Sequence, residues 1–162
     1  LLADEPDGVY IPGYMRDTAL FMKQARRRGL KSTFLGGDGW DLIEKLIDKE
    51  VEGSYQTVLW HPDMPYPQTH AAIEMMRDAH ENMAWNMSAP MGYDATMVLV
   101  DAIERAGTSD RGMVRDALAA TQGFPGVSGP ITFDNQGDPV DKSIVIVRFE
   151  QAEMKYVTMV KP

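Results

Sequence analysis

Gly36-Gly37-Asp38-Gly39-Trp40-Asp41, read with Gly8-Val9-Tyr10-Ile11-Pro12-Gly13-Tyr14 upstream of it, decides the fold. Val9-Tyr10-Ile11 is a short apolar run of the kind that forms a buried parallel strand, and Pro12-Gly13 ends it, which predicts a strand over residues 8–12. Ser32-Thr33-Phe34-Leu35 is a second strand-forming run, closed by the glycines. Between the two, Ala19, Met22 and Arg26 recur at helical spacing until Gly29 supplies a stop, predicting a helix over residues 16–28. A right-handed strand, helix, strand crossover brings Tyr14 and Asp38 to one sheet edge. That is the edge at which open α/β sheets bind ligands. An acid held among Gly36, Gly37 and Gly39, with Tyr14 and Trp40 near it, suits a small molecule carrying an ammonium group.

Further along, Asp41 is placed to cap a helix through Leu42, Ile43, Leu46 and Ile47, whose i, i+1, i+4, i+5 stripe is apolar. Ser54 to Leu59 alternates as a strand does, and Pro62, Pro65 and Pro67 crowd the loop that follows. A helix is predicted from Thr69, a possible cap, to Met83, with Ala72, Met75, Met76, Ala79 and Met83 on one side. Another runs from Ala89 to Ala106, with Pro90 in its first turn and Gly107 at its end, and Thr108-Ser109-Asp110 caps a third from Arg111 to Ala120. Gly123, Pro125, Gly126 and Gly129 read as a loop. The carboxyl end reads as a β-meander: Ile131 to Phe133, Ser143 to Phe149 and Lys155 to Val160, with a turn at Asp134 to Asp138.

The 44% hydrophobic and 25% charged content of these 162 residues is that of a globular domain able to bury a core. With a net charge of −8 and a single basic cluster, Arg26-Arg27-Arg28 beside a helix end, the chain is not built to bind nucleic acid. Zero cysteines remove disulfides, thiolate zinc sites and a cysteine nucleophile together. No apolar run approaches the ~20 residues that span a bilayer. Leu1-Leu2-Ala3 lies so near a central strand, with no initiator Met, that further sequence upstream is expected.

With Gln24-Ala25-Arg26, Gly92-Tyr93-Asp94-Ala95, Ala102 to Gly107 and Phe124 to Asp134 following in order, these runs resemble the type I periplasmic solute-binding proteins that serve ABC importers of branched-chain and related amino acids. The resemblance covers essentially the whole chain and rests on the six runs jointly. It implies an α/β fold of two Rossmann-like lobes with parallel sheets, joined by three crossing segments and closing on a ligand, of which this chain is the carboxyl-terminal half. Residues 1–60 would belong to the second lobe, 61–144 would return to the first, and 145–162 would cross back. The prolines at 62 to 67 mark the first crossing independently. The resemblance further implies a periplasmic or cell-surface component, Leu/Ile/Val-binding in type. It would hold an amino acid without a cofactor and deliver it to membrane permease subunits. Asp38 would take the ligand ammonium and Tyr14 line the pocket, with the groups for the ligand carboxylate coming from the other lobe. A ligand-sensing receptor module of the same fold, binding an amide or another small solute, is the alternative.

Each residue has a plainer reading as well. Asp38 can be a turn acid satisfied by backbone N–H groups, and Tyr14 and Trp40 can be core aromatics. Gly37-Asp38-Gly39 is no dinucleotide loop, because Leu42 replaces the third glycine and no P-loop lysine follows. His61, His70 and His80 lack the i, i+4 spacing of a helical metal pair and are expected at the surface. Asp134 to Asp138 lacks the alternating ligands and closing Glu of a calcium loop. Met75, Met76 and Met83 read as helix core. Ser88, Ser109, Ser128 and Ser143 lack the GxSxG context of a nucleophile, so no enzyme is expected.

Overall fold

The computed structural model describes residues 6–79 and 87–161. In chain order its elements are β1 (Gly8–Ile11), α1 (Met15–Arg27), β2 (Thr33–Gly36), β3 (Tyr55–Val58), α2 (Pro67–Ala79), α3 (Ser88–Ala106), α4 (Arg111–Ala119), β4 (Phe124–Gly126), β5 (Gly129–Phe133), β6 (Pro139–Val140), β7 (Ile144–Glu150) and β8 (Glu153–Val160). The described residues up to Leu59, with Ile144–Val160, form one compact unit; the described residues from Trp60 to Ser143, with Lys161, form another.

The first unit is built on a five-stranded sheet of order β1-β2-β3-β7-β8. Its first three strands are parallel, with Tyr10 opposite Leu35 and Leu35 opposite Tyr55. β7 runs antiparallel to β3 and β8 antiparallel to β7. Alternation in β7 buries Val145, Val147 and Phe149 while Ile144 and Arg148 stay exposed, as a strand with one covered face requires. Over the covered face lie Ala19 and Met22 of α1, packed with Phe34, Trp40, Ile43, Ile47 and Val51. The helix ends where Gly29 turns to φ +88°. There Arg26 donates to the carbonyls of Leu30 and Ser32 at 2.7 and 2.9 Å, its guanidinium 4.1 Å from the Phe34 ring centre.

The helix expected after Asp41 does not form. Two three-residue 3-10 turns, Asp38–Trp40 and Ile43–Lys45, stand there instead, separated by Leu42 at φ +63°. Of the expected apolar stripe, Leu42 is half-buried and Leu46 is exposed, whereas Ile43 and Ile47 are buried. Their burial, with the anchoring of Trp40 described below, fixes a bent backbone in place of the regular one that propensity favoured. Asp41 accordingly caps no helix.

The second unit holds α2, α3, α4 and a three-stranded antiparallel sheet of order β4-β5-β6. α3 closes on Gly107 at φ +63°, and Asp110 caps α4 by accepting from the Met113 N–H at 3.0 Å. α2 begins at Pro67, two residues before the expected cap; Thr69 lies inside it, buried, and its hydroxyl donates to the Val127 carbonyl at 2.6 Å. The stretch read as a loop at 123–129 is strand β4 hairpinned onto β5, Gly126 opposite Gly129. The expected tail meander is therefore divided: β5 and β6 pair here, whereas β7 and β8 join the other sheet. Asp134 does make the predicted turn, accepting from the N–H groups of Gln136 and Asp138 at 2.8 and 2.9 Å.

Two surface and core expectations change. His61 is buried, its Nδ1 accepting from the Asp63 N–H at 3.2 Å, whereas His70 is exposed. On α2, Met76 is buried with Ala72 and Val127, but Met75 faces solvent. His80 and Met83 lie outside the described residues.

Candidate functional site

At the carboxyl end of the parallel strands, two turns meet. A Cβ on Gly39 would stand 2.7 Å from the Gly13 carbonyl oxygen and 3.4 Å from the Tyr14 ring, so the turn after β2 lies directly on the turn after β1. Trp40 locks this arrangement. Its indole Nε1 donates to the Ile11 carbonyl at 3.1 Å, and its ring covers Gly36 so closely that a Cβ there would fall 2.2 to 2.5 Å from three ring atoms. Only glycine admits that approach.

Of the three residues singled out in the sequence, the structure brings Tyr14 and Asp38 to the same edge. Asp38 is exposed, and no hydrogen bond to its carboxylate occurs among the described residues. Tyr14 is 81% exposed at the start of α1. Trp40 is fully buried in the core of this unit, so it offers a solute no surface; it seats the turn that presents Asp38. Just beyond, burial raises the Asp41 carboxyl above its ordinary range against the pull of Lys45. Burial raises Glu44 likewise, helped by Asp41 and opposed by its own backbone hydrogen bond and by Lys45. An exposed, unengaged carboxylate beside an exposed phenol can accept charge-assisted hydrogen bonds from an ammonium group and wall an apolar side chain. No group of three or more His, Cys, Asp or Glu fit to hold a metal occurs among the described residues.

A second polar cluster, in the other unit, was not singled out as a site. Asp94 of α3 is 2% exposed, and its carboxylate accepts from the N–H groups of Val127 and Ser128, at 2.7 and 2.9 Å, and from the Ser128 hydroxyl. Lys142 donates to the Ser128 carbonyl and hydroxyl at 3.0 and 2.9 Å. Burial depresses the Lys142 ammonium below its ordinary value while Asp94 pulls it back up. Ser128 is 1% exposed, so this is a lock on the β4–β5 turn with no access for a substrate. Its signal was in the sequence: Asp94 interrupts the buried stripe Pro90, Asp94, Val98, Ala102 at every fourth residue.

The parallel βαβ unit, followed by chain that builds a second unit, matches the type I periplasmic-binding fold. The leucine-binding protein LivK of Thermotoga maritima superposes with a TM-score of 0.92 at 33% identity, over 99% of this chain and 46% of that one. LivJ of Streptococcus pneumoniae, solved with isoleucine, shares the fold at a TM-score of 0.86 and 22% identity, over 96% and 45%. The family model for periplasmic binding proteins matches residues 1–153, and the chain belongs to that family. It is 30% identical to Leu/Ile/Val-binding protein homolog 2 of Brucella abortus (strain 2308), over 90% of this chain and 39% of the relative. It is also 30% identical to the leucine-, isoleucine-, valine-, threonine- and alanine-binding protein of Pseudomonas aeruginosa, over 80% and 35%. The chain spans less than half the length of these relatives.

Proposed function

We propose that this chain is part of the extracytoplasmic solute-binding component of an ABC importer, that its ligand is a branched-chain or related amino acid, and that it delivers the ligand to membrane permease subunits without catalysing a reaction. The observation that carries this reading is the contact between the turns after β1 and β2, which carry Tyr14 and Asp38, both exposed, in a chain of this family. Asp38 accepts the ligand ammonium, Tyr14 supplies shape and a hydroxyl, and Trp40 holds the turn from below. The unit containing β1 belongs to the second lobe of the binding protein and the unit containing α3 to the first.

A charge-assisted hydrogen bond shielded from water is worth roughly 1.5 to 3 kcal/mol, so Asp38→Ala is expected to weaken binding about tenfold or more. The test is a titration with leucine, isoleucine, valine, phenylalanine and an amine-free analogue of the best binder, followed by backbone amide chemical shifts, which report even weak binding. Saturable shifts centred on Tyr14 and Gly37 to Gly39, absent with the analogue and with Asp38→Ala, are expected. Undiminished affinity in Asp38→Ala would sink the assignment.

A further inference from the structure

The unit containing α3 carries an open cavity that the Asp94 lock does not fill. Its volume is about 370 Å³, within the roughly 300 to 1,000 Å³ of sites that hold small molecules. Tyr66, Pro130 and Val140 give it apolar wall, and Thr132 and Ser143 bring hydroxyls. Asp141 and Lys161 add one charge of each sign. No hydrogen bond or ion pair of either charged group occurs among the described residues.

These walls are held in place by the fold itself. The Tyr66 ring is seated on Gly129, where a Cβ would fall 2.7 Å from it and the backbone stands at φ +92°. Ser143 is 4% exposed, and its hydroxyl lies 3.4 Å from the Tyr66 hydroxyl, beyond the ~2.8 Å of a full O–H···O bond, so it keeps capacity for a second partner. Thr132 accepts from the Gly123 N–H at 2.8 Å, which leaves its own proton to donate. Asp141 stands at φ +57°, a left-handed backbone that persists only where neighbours impose it. Here they do. Lys142 donates to the carbonyls of Ser128, Gly129 and Pro130, and Ser143 on its other side is buried. An exposed acid needs no such backbone for its own sake; holding it there fixes its carboxylate on the cavity wall.

We propose that this cavity is a second binding site, for a small zwitterion with a short apolar side chain. Asp141 accepts from the ammonium group. Lys161 and the hydroxyls of Thr132 and Ser143 donate to the carboxylate, and the Tyr66 ring with Pro130 and Val140 covers the apolar part. A solute with one charge alone leaves the like wall charge repelling it and the other unanswered, which is the basis of selection. Both wall charges are exposed to water, so affinity is in the millimolar range. The site lies in the other unit from Asp38 and does not depend on the reading of that edge.

The test titrates the whole chain carrying Asp38→Ala, which removes the other acid from play, with L-alanine, and follows the backbone amide shifts of Thr132 and residues 140–143. Propionate and alaninamide, each lacking one charge, are the comparisons. Saturable shifts at those amides with alanine are expected, with either analogue binding about tenfold more weakly or worse. Asp141→Asn removes the charge while keeping a residue that adopts the left-handed backbone readily. It is expected to weaken alanine about tenfold and to leave the urea midpoint unchanged. Lys161→Gln is expected to weaken alanine and leave alaninamide unaffected. Absence of saturable shifts at these amides up to the solubility limit of alanine, an equal response to either analogue, or undiminished affinity in Asp141→Asn overturns the proposal.

Discussion

Asp94 accepts three hydrogen bonds at 2% exposure, with Lys142 donating to the serine it holds, and truncating it strands several donors at once. Asp94→Ala is expected to destabilise the chain by about 3 kcal/mol, the cost of breaking a buried charged network by removing one partner. A lower urea midpoint with unchanged slope would check it. Glu44 tests the opposite sign. Its Oε2 is buried without a hydrogen-bond partner among the described residues, and burial raises its carboxyl above the ordinary range. The folded state therefore binds that proton more tightly than the unfolded one, and this contribution falls as pH rises from the ordinary carboxylate value through the raised one. Glu44→Gln is expected to be more stable than the parent at neutral pH, by on the order of 0.5 kcal/mol after solvent screening. The advantage should shrink in acid; thermal unfolding at two pH values measures it.

At the scale of elements, the turn after β2 depends on a single contact. The fully buried Trp40 ring lies on Gly36, which leaves no room for a methyl group. Gly36→Ala is expected to cost about 2 kcal/mol by overpacking, and a smaller ring at position 40 should recover part of that loss in the double variant. Full additivity in a thermal denaturation cycle would show that the two side chains do not conflict. At 41–47, Ile43 and Ile47 announced burial correctly, but a periodic apolar stripe does not say whether the chain reaches the core along a helix or around a bend. The helices with unambiguous ends were readable. Gly29 and Gly107 both adopt the left-handed backbone their positions predicted, and Asp110 caps as expected.

For the whole molecule, the proposed reading gives a solute the edge that carries Asp38 and Tyr14. The partners for a ligand carboxylate are implied by resemblance alone. The 162-residue chain by itself is therefore expected to bind leucine with a Kd in the millimolar range or weaker, against micromolar or better for a cleft closed from both sides. Saturation at micromolar leucine by a proven monomer would overturn this.

The residues alone determined the βαβ unit, because alternation, helical spacing and glycine stops are local properties, and with it the edge at which Tyr14 and Asp38 stand. Order along the chain sufficed to indicate the family. Tertiary structure decided which of these side chains are exposed. Trp40 follows a glycine turn as a pocket wall would, yet it is core, because the glycine at 36 lets its ring settle onto the sheet. It also decided that the final strands divide between two sheets and that Asp94 is interior. Both depend on partners distant in sequence, Val145 with Val58 and Asp94 with Ser128, and pairing over such separations is set by what else competes for the same buried surface and the same hydrogen bonds.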